Sequence, residues 1–320
     1  MRDIFLCRTP LQAVYVETII KKNGKESDVV FLKPVNSSFQ DYAIYNLTKL
    51  EKVSNIYVFN LFTRKNKFLG LLEHLYVIFS ILIRFYGKSY DSVYIASIDC
   101  LPFQILLNYL KVIKIFTYDD GSANINKKSS YYRSDDYSLP MRIISSIFLN
   151  KTTKKTIVNR SLKHYTMFKG ENIIRNTECI FDDIVLTRHN NKDVRKEGKV
   201  VVFLGTVFSD LKLYTTSMAS KIEFHYHYVD FYYPHPRDNE KIFTSKRVDD
   251  FRISELKLLD LRTCYDHVHV IGFPSSTILH LKDSDGFTFD VFYLEGISFD
   301  YSILSSHNIS IIELPFIDEA

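Results

Sequence analysis

Short apolar runs alternate with segments of helical spacing through the first half of the chain. Ile4–Cys7 reads as a strand. Thr9 then stands as an N-cap, with Pro10 as the first helical residue of a helix through Leu11–Lys21. Asp28–Leu32 and Asn55–Phe59 are further strands, with a helix around Tyr42–Leu50 between them. Ser92–Ala96 reads as a strand, Pro102–Leu110 as a helix, and Ile113–Tyr118 as a strand running into Asp119-Asp120-Gly121. Strands alternating with helices predict βαβ units and a parallel sheet, whose ligands bind beyond the carboxyl ends of the strands.

The polar segment Arg188–Lys199 reads as an interdomain linker, and after it the pattern restarts. Val200–Leu204 is a strand ending at Gly205, Leu211–Lys221 a helix, and Phe224–Tyr233 an aromatic strand. Arg252–Leu261 reads as a helix, and Val268–Ile271 as a strand leading to Gly272-Phe273-Pro274-Ser275-Ser276. A helix through Thr277–Leu281 and strands at Phe287–Tyr293 and Ser310–Leu314 follow. The expected class is α/β: two Rossmann-like domains, residues 1–190 and 191–320, with a cleft between them.

The longest apolar stretch, Phe68 to Phe85, is interrupted by Glu73 and His74 and bounded by Arg84. Its uninterrupted part, Leu75 to Ile83, is too short to span a bilayer. Two readings stay open, a buried helix and a helix resting on a membrane surface. The second is favoured by nearby Arg64, Lys65, Lys67, Arg84 and Lys88.

Composition narrows the class further. The chain has 320 residues, 46% of them hydrophobic and 24% charged, which excludes a disordered polymer and exceeds most single cores. With 25 Phe, 22 Tyr and no Trp, its cores should be rich in rings. The net charge of +4 is spread thinly, and no basic-aromatic motif argues for nucleic acid. Four widely separated cysteines, Cys7, Cys100, Cys179 and Cys264, lack zinc spacing and read as reduced thiols of a cytosolic protein. The chain opens directly on the strand-like Arg2-Asp3-Ile4-Phe5-Leu6, so no secretion signal is expected.

Candidate chemistry lies at the strand ends. In Tyr232-Tyr233-Pro234-His235-Pro236-Arg237 a histidine is clamped between two prolines, with a guanidinium two residues on. Each proline fixes its own φ and biases its predecessor toward extended backbone, so the loop presents the imidazole. Histidine suits proton transfer near neutral pH, and arginine suits planar anions. The same six residues also fit a plain turn that ends a strand. Ser275 and Ser276 stand at a helix N-terminus, either as an N-cap or as part of a phosphate site.

Asp119 and Asp120 are adjacent and point to opposite sides, so one at most faces a ligand, with Gly121 making the turn. Asp210, in Gly205-Thr206-Val207-Phe208-Ser209-Asp210, fits an N-cap as well as a base. His225 and His227 alternate on the expected aromatic strand but lack a third metal ligand, and Lys151–Lys155 reads as a solvated basic surface. No GxGxxG, GxxxxGK[ST] or GxSxG is present, so dehydrogenase, P-loop and α/β-hydrolase readings lose their support.

Taken in order, four segments resemble the bacterial lipooligosaccharide sialyltransferases of glycosyltransferase family 52. They are Phe116–Asn124, Ser129-Ser130-Tyr131, His164–Gly170 and Pro234-His235-Pro236-Arg237. The likeness extends from Cys7-Arg8-Thr9-Pro10-Leu11-Gln12 to the Ser275-Ser276 region. It implies a GT-B fold and an inverting, metal-independent transfer of sialic acid from its CMP ester to a sugar hydroxyl, usually of galactose. Asp210 falls at the family's general base and His235 at its general acid. Ser275 matches a phosphate-binding serine, whereas Ser276 stands where some relatives have glycine. Asp249 or Asp250 falls near an acidic residue that holds the cytidine.

Gly205, Pro236 and Arg237 complete the expected CMP site, and Asp119, Asp120 and Gly121 the expected acceptor side. In related sialyltransferase families an aspartate of the DDG turn is the base, so this pair stays a candidate for that role. The resemblance further implies action on the inner face of the cytoplasmic membrane, and homodimers. Three readings remain open: a CMP-sialic acid-dependent sialyltransferase, a relative using another nucleotide sugar, and a non-catalytic glycan- or nucleotide-binding assembly protein.

Overall fold

The computed structural model describes residues 2–35, 37–61, 67–133, 137–186, 197–208, 211, 216–237, 242–294 and 299–314. The chain divides into two compact units, Met1–Asn190 and Asn191–Ala320. In the first, β1 (Asp3–Cys7), β2 (Ser27–Pro34), β3 (Val53–Leu61), β4 (Ser89–Ile95), β5 (Lys111–Tyr118), β6 (Ser161–Thr166) and β7 (Thr177–Cys179) form one parallel sheet. The connecting helices are α1 (Pro10–Asn23), α2 (Ser38–Thr48), α3 (Lys67–Phe85), α4 (Leu101–Tyr109), α5 (Leu139–Ile147), α6 (Lys154–Arg160) and α7 (Phe181–Leu186). Strand order is β3-β2-β1-β4-β5-β6-β7, so the direction of winding reverses between β1 and β4.

Burial on both faces explains the unbroken apolar runs of β1 and β2. Ile4, Leu6, Val30 and Ile95 pack with Val77 and Ile81 of α3 and Phe103 of α4. On the other face Phe5 stacks on Tyr94 at 4.3 Å, Tyr94 on Phe116 at 4.9 Å, and Tyr15 of α1 meets Tyr118 at 5.8 Å. The Phe68–Phe85 stretch is helix α3, whose inner side packs on α4 and the sheet.

The second unit carries β8 (Glu197–Leu204), α8 (Thr216–His225), β9 (Phe231–Tyr233), α9 (Ser254–Cys264), β10 (Tyr265–Gly272), α10 (Ser276–Leu281), β11 (Phe287–Tyr293) and β12 (Ile309–Glu313). Its parallel sheet has the order β12-β11-β10-β8-β9, reversing between β8 and β10. An aromatic core of Phe203, Tyr226, Tyr232, Phe243 and Phe292 lies between this sheet and α8.

Several expectations need correction. Phe224–Tyr233 is not one strand: α8 runs to His225, a turn follows, and β9 begins only at Phe231. Ile222, Tyr226 and Val229 are buried while Phe224, His225, His227 and Tyr228 are exposed. That spacing of four and three is helical, and it overrides the β-propensity of the aromatic residues. His225 and His227 therefore sit on a helix end and a turn instead of alternating along a strand.

The helix expected at Leu211–Lys221 is α8, shifted toward the carboxyl side. Glu197–Lys199, read as the end of the linker, starts β8. Lys154, read as part of a solvated patch, is buried and donates to the carbonyl oxygens of Ser130 (2.6 Å) and Arg133 (2.9 Å). Thr153 caps α6 there, with its hydroxyl accepting from the Thr156 N–H.

Candidate active site

In the first unit the chain turns from β1 into α1 at Arg8-Thr9-Pro10. The Thr9 hydroxyl caps the helix by accepting the Gln12 N–H at 3.2 Å. Gln12 is wholly buried and makes three further contacts. Its Oε1 accepts the Arg8 N–H (2.6 Å), and its Nε2 lies 3.0 Å from Ser97 Oγ and 2.7 Å from Asp120 Oδ1. One side chain thus joins the carboxyl ends of β1, β4 and β5, where the order of winding reverses and open α/β sheets bind ligands.

The two carboxylates of the Asp119-Asp120-Gly121 turn have different fates. Asp119 has no exposed surface. It accepts from the Tyr15 hydroxyl, Asn124 Nδ2 (2.7 Å), His164 Nε2 (2.9 Å) and the Met167 N–H (2.8 Å). Those donors saturate its oxygens and tie β5 to α1 and β6.

Asp120 is half-buried and belongs to a different cluster. Besides Gln12 it faces the Tyr131 hydroxyl at 3.0 Å, which also lies 2.7 Å from the Ala96 carbonyl oxygen. Burial pushes the Asp120 carboxyl above its usual range, and the Asp99 charge adds to this. Hydrogen bonds from Ser97 and Tyr131 and the Arg8 charge act in the opposite sense. Gly121 follows at φ +57°, a left-handed turn that glycine takes without strain.

In the second unit the ends of β8, β9 and β10 are close-set backbone. The Gly205 N–H donates to Tyr233 O at 2.8 Å. A Cβ on Gly205 would stand 2.8 Å from the Tyr232 hydroxyl oxygen and 3.1 Å from both Pro234 Cα and His235 N, so any side chain there must push one of them aside. His235 follows, half-buried, and Pro236 and Arg237 are exposed. His235 Nδ1 accepts the Arg237 N–H at 3.1 Å. In the neutral ring this leaves the proton on Nε2, the atom able to give it to a ligand.

Asp249 and Asp250 also part company. Asp249 is exposed, its carboxylate accepting from Arg247 Nε at 3.0 Å. Asp250 is gripped by Arg252 through Nε (2.8 Å) and a terminal nitrogen (2.6 Å), and Arg252 also reaches Asp260. Burial works to raise the Asp250 pKa, but the Arg252 hydrogen bonds and charge outweigh it and hold the carboxyl below its usual range. Next to Asp250, Lys257 of α9 is buried, with its ammonium 4.6 Å from the Tyr233 ring centre and 3.4 Å from Asp250 O. Burial pushes the Lys257 pKa down to about 8.

Ser275 is the N-cap of α10, its hydroxyl accepting the Ile278 N–H at 3.3 Å, and Ser276 is the first helical residue. A buried pair, His280 Nδ1 with Glu255 Oε1 at 2.9 Å, fastens α10 to α9.

Asp210 lies outside the described residues. Among the described residues no group of three or more His, Cys, Asp or Glu could hold a metal ion. Within the first unit the structure brings Asp120 and Gly121 together with Gln12, Ser97 and Tyr131, and turns Asp119 away. Within the second it brings Gly205 onto the Pro234–His235 backbone. Gln12, Ser97 and Lys257, which join these clusters, were not among the residues expected there. For Ser97 the usable signal was a polar residue just past a strand end, which carries weight only once strand order is known; Gln12 and Lys257 lie inside helices α1 and α9.

Comparison with known proteins adds to this geometry. The family model described as glycosyltransferase family 52 matches residues 25–293. The chain is 29% identical over 288 residues to the CMP-N-acetylneuraminate:beta-galactoside alpha-2,3-sialyltransferase of Pasteurella multocida, covering 88% of this chain and 87% of the relative. It is 25% identical over 243 residues to the N-acetyllactosaminide alpha-2,3-sialyltransferase of Haemophilus influenzae, covering 75% of each. Among solved structures it resembles a 2,6-sialyltransferase of Vibrionaceae Photobacterium sp. JT-ISH-224, crystallised with the donor product CMP and the acceptor substrate lactose. There the TM-score is 0.51 at 15% identity, over 97% of this chain and 78% of that one. The fold is α/β and GT-B-like, with two parallel-sheet units.

Proposed function

The chain belongs to glycosyltransferase family 52, and from there we propose an inverting, metal-independent transfer of sialic acid from CMP-sialic acid to galactose. Sialyltransferase activity is common to the curated relatives. The α2,3 linkage, a terminal galactose acceptor and a bacterial surface glycan such as lipooligosaccharide, O-antigen or capsule belong to this proposal. So does work at the inner face of the cytoplasmic membrane.

In the proposed step the acceptor hydroxyl oxygen bonds to the anomeric carbon of sialic acid while the bond from that carbon to the CMP phosphate oxygen breaks. Asp210 takes the hydroxyl proton, and His235 gives a proton to the departing phosphate. Arg237 and the Ser275–Ser276 turn would bind that phosphate. Asp249 or Asp250 would hold the cytidine, each carboxylate being paired with an arginine as well, Arg247 and Arg252 respectively.

One observation carries the reading: the proline-clamped imidazole has Nδ1 occupied by the Arg237 N–H, so Nε2 is its proton-bearing atom. Thermal shift tests the donor class, because a ligand that binds only the folded chain stabilises it by RT ln(1 + [L]/Kd), about 2.7 kcal/mol at a hundredfold excess over Kd. CMP should stabilise the chain and UDP and GDP should not. Stabilisation by UDP alone would move the reading to another nucleotide sugar.

A second base is favoured by a specific observation, since Asp120 is the DDG carboxylate that is not fully buried. Asp210→Ala should cost roughly 10²-fold in turnover. Near-normal turnover in Asp210→Ala with collapse in Asp120→Ala would transfer the role to the DDG turn.

A further inference from the structure

Just past the carboxyl end of β1, one cation stands apart from its paired surroundings. Arg133, Arg247, Arg252 and Arg262 each donate to an oxygen from the guanidinium. Arg8 is half-buried, yet among the described residues its guanidinium makes no hydrogen bond and no ion pair. A fork of N–H donors in partly dry surroundings is costly to leave unused.

Its backbone is fixed all the same. The Arg8 N–H donates to Gln12 Oε1 at 2.6 Å, and the Thr9 cap and Pro10 follow directly. The guanidinium lies among Cys100, Asp120, Asp99 and Tyr131, where the first sheet reverses its winding. Two carboxylates are therefore near, but neutral donors already hold both. Asp120 faces Gln12 Nε2 at 2.7 Å and the Tyr131 hydroxyl at 3.0 Å, and Asp99 accepts from Ser130 Oγ at 2.7 Å. Their field keeps the arginine charged while its donors stay open to a ligand.

An open guanidinium fork matches a planar anion, and a carboxylate best of all. The charges of Asp99 and Asp120 oppose a doubly charged phosphate more than a single negative charge. In the transfer proposed above, the phosphate leaves with CMP, whereas a carboxylate stays on the anomeric carbon of sialic acid. That carbon forms the new bond, so its carboxylate lies beside the acceptor hydroxyl from donor to product. Asp120, the second candidate for the base, would repel it, and Arg8 supplies the opposite charge.

We propose that Arg8 binds the carboxylate of the sialic acid residue, in donor and product alike. The inference rests on the sialyl transfer proposed above and deepens it. No bond forms or breaks at Arg8, which orients the sugar through its charge.

The test titrates the full chain calorimetrically with sialyl-lactose and with its methyl ester, in which the carboxylate is neutral. The parent should bind the acid about tenfold or more tightly than the ester. Arg8→Gln should bind both alike, and Arg8→Lys, which keeps the charge and loses the fork, should fall between. Arg8→Gln should also lower kcat/KM for CMP-sialic acid about tenfold or more and leave KM for lactose within about twofold. CMP alone lacks the carboxylate, so its thermal stabilisation of Arg8→Gln should match the parent, which a general loss of structure would not allow. Arg8→Lys decides by the same ratio if Arg8→Gln proves unstable. No binding of sialyl-lactose by the parent, equal affinity for acid and ester, or an acid preference that survives in Arg8→Gln would overturn the proposal. So would a loss confined to lactose, which would assign Arg8 to the acceptor hydroxyls. A parent that shows the acid preference but transfers nothing would sink the transferase reading and support this one. A parent that makes sialyl-lactose no faster than Arg8→Gln would do the reverse.

Discussion

The two sheets each reverse strand order once, and the residues gathered at the two reversals differ in kind. In the first unit the place is filled by interlocked polar side chains: Gln12 reaches Ser97 and Asp120, and Tyr131 closes on Asp120. In the second unit it is lined by backbone at close approach, with Gly205 against Pro234 and His235, and Gly272 against Leu204 O. The side chains proposed to react there, His235 with Arg237, stand on the loop just beyond. A saturated polar network holds one geometry and is costly to disturb. A proline-stiffened loop fixes the backbone of its side chains instead. Stability and chemistry should therefore separate by unit, and substitutions can break that comparison.

The largest effect belongs to Asp119, the buried carboxylate turned away from that cluster. Asp119→Ala would remove one hydrogen-bond partner each from the Tyr15 hydroxyl, Asn124, His164 and the Met167 N–H, all buried. A loss of about 3–5 kcal/mol in stability is expected, measured by denaturant unfolding. A shift below about 1 kcal/mol would show that water replaces the carboxylate, and the contrast with Asp120 would weaken.

Next is Gly205→Ala. The added methyl group must push on the Tyr232 hydroxyl or on the Pro234–His235 backbone. The expected cost is about 1–3 kcal/mol in stability. Turnover should fall by about tenfold or more as the imidazole moves. Unchanged kinetics would mean that the position of His235 does not depend on this contact.

Smallest is Lys257→Met, which should stabilise. The folded pKa of about 8 lies below the ordinary lysine value of 10.5. Between those limits the unfolded chain binds more protons, so stability rises with pH. Below about pH 8 the buried ammonium exacts its full penalty. Removing it should add on the order of 1–2 kcal/mol at pH 7, after loss of the contact with the Tyr233 ring. The gain should fade above about pH 10. Destabilisation at pH 7 would show that this ring contact and the bond to Asp250 O outweigh desolvation.

Most of the fold was legible because its signals are local. Thr9-Pro10 marks a helix start, and the apolar runs of β1, β2 and β8 are the mark of strands covered on both faces. The aromatic run from Phe224 misled because ring-rich composition speaks for a strand while the burial of Ile222, Tyr226 and Val229 follows a helix. Strand order was not legible at all, since β1 meets β4 through contacts across more than one βαβ unit. That gap hid Gln12 and Ser97, which become neighbours only when β4 lies beside β1. It also left Asp119 and Asp120 equivalent, although the partners that separate them come from α1, β6 and the loop after β4.

The measurement closest to the central claim follows CMP and sialyl-lactose together. Purified chain, CMP-sialic acid and lactose are mixed without added metal, with the parent and His235→Ala run in parallel. The parent should release CMP and form sialyl-lactose in equal amounts. His235→Ala should be slower by roughly 10²-fold, with its thermal midpoint still raised by CMP as in the parent. No product from the parent, or a His235→Ala variant as fast as the parent, would contradict the account.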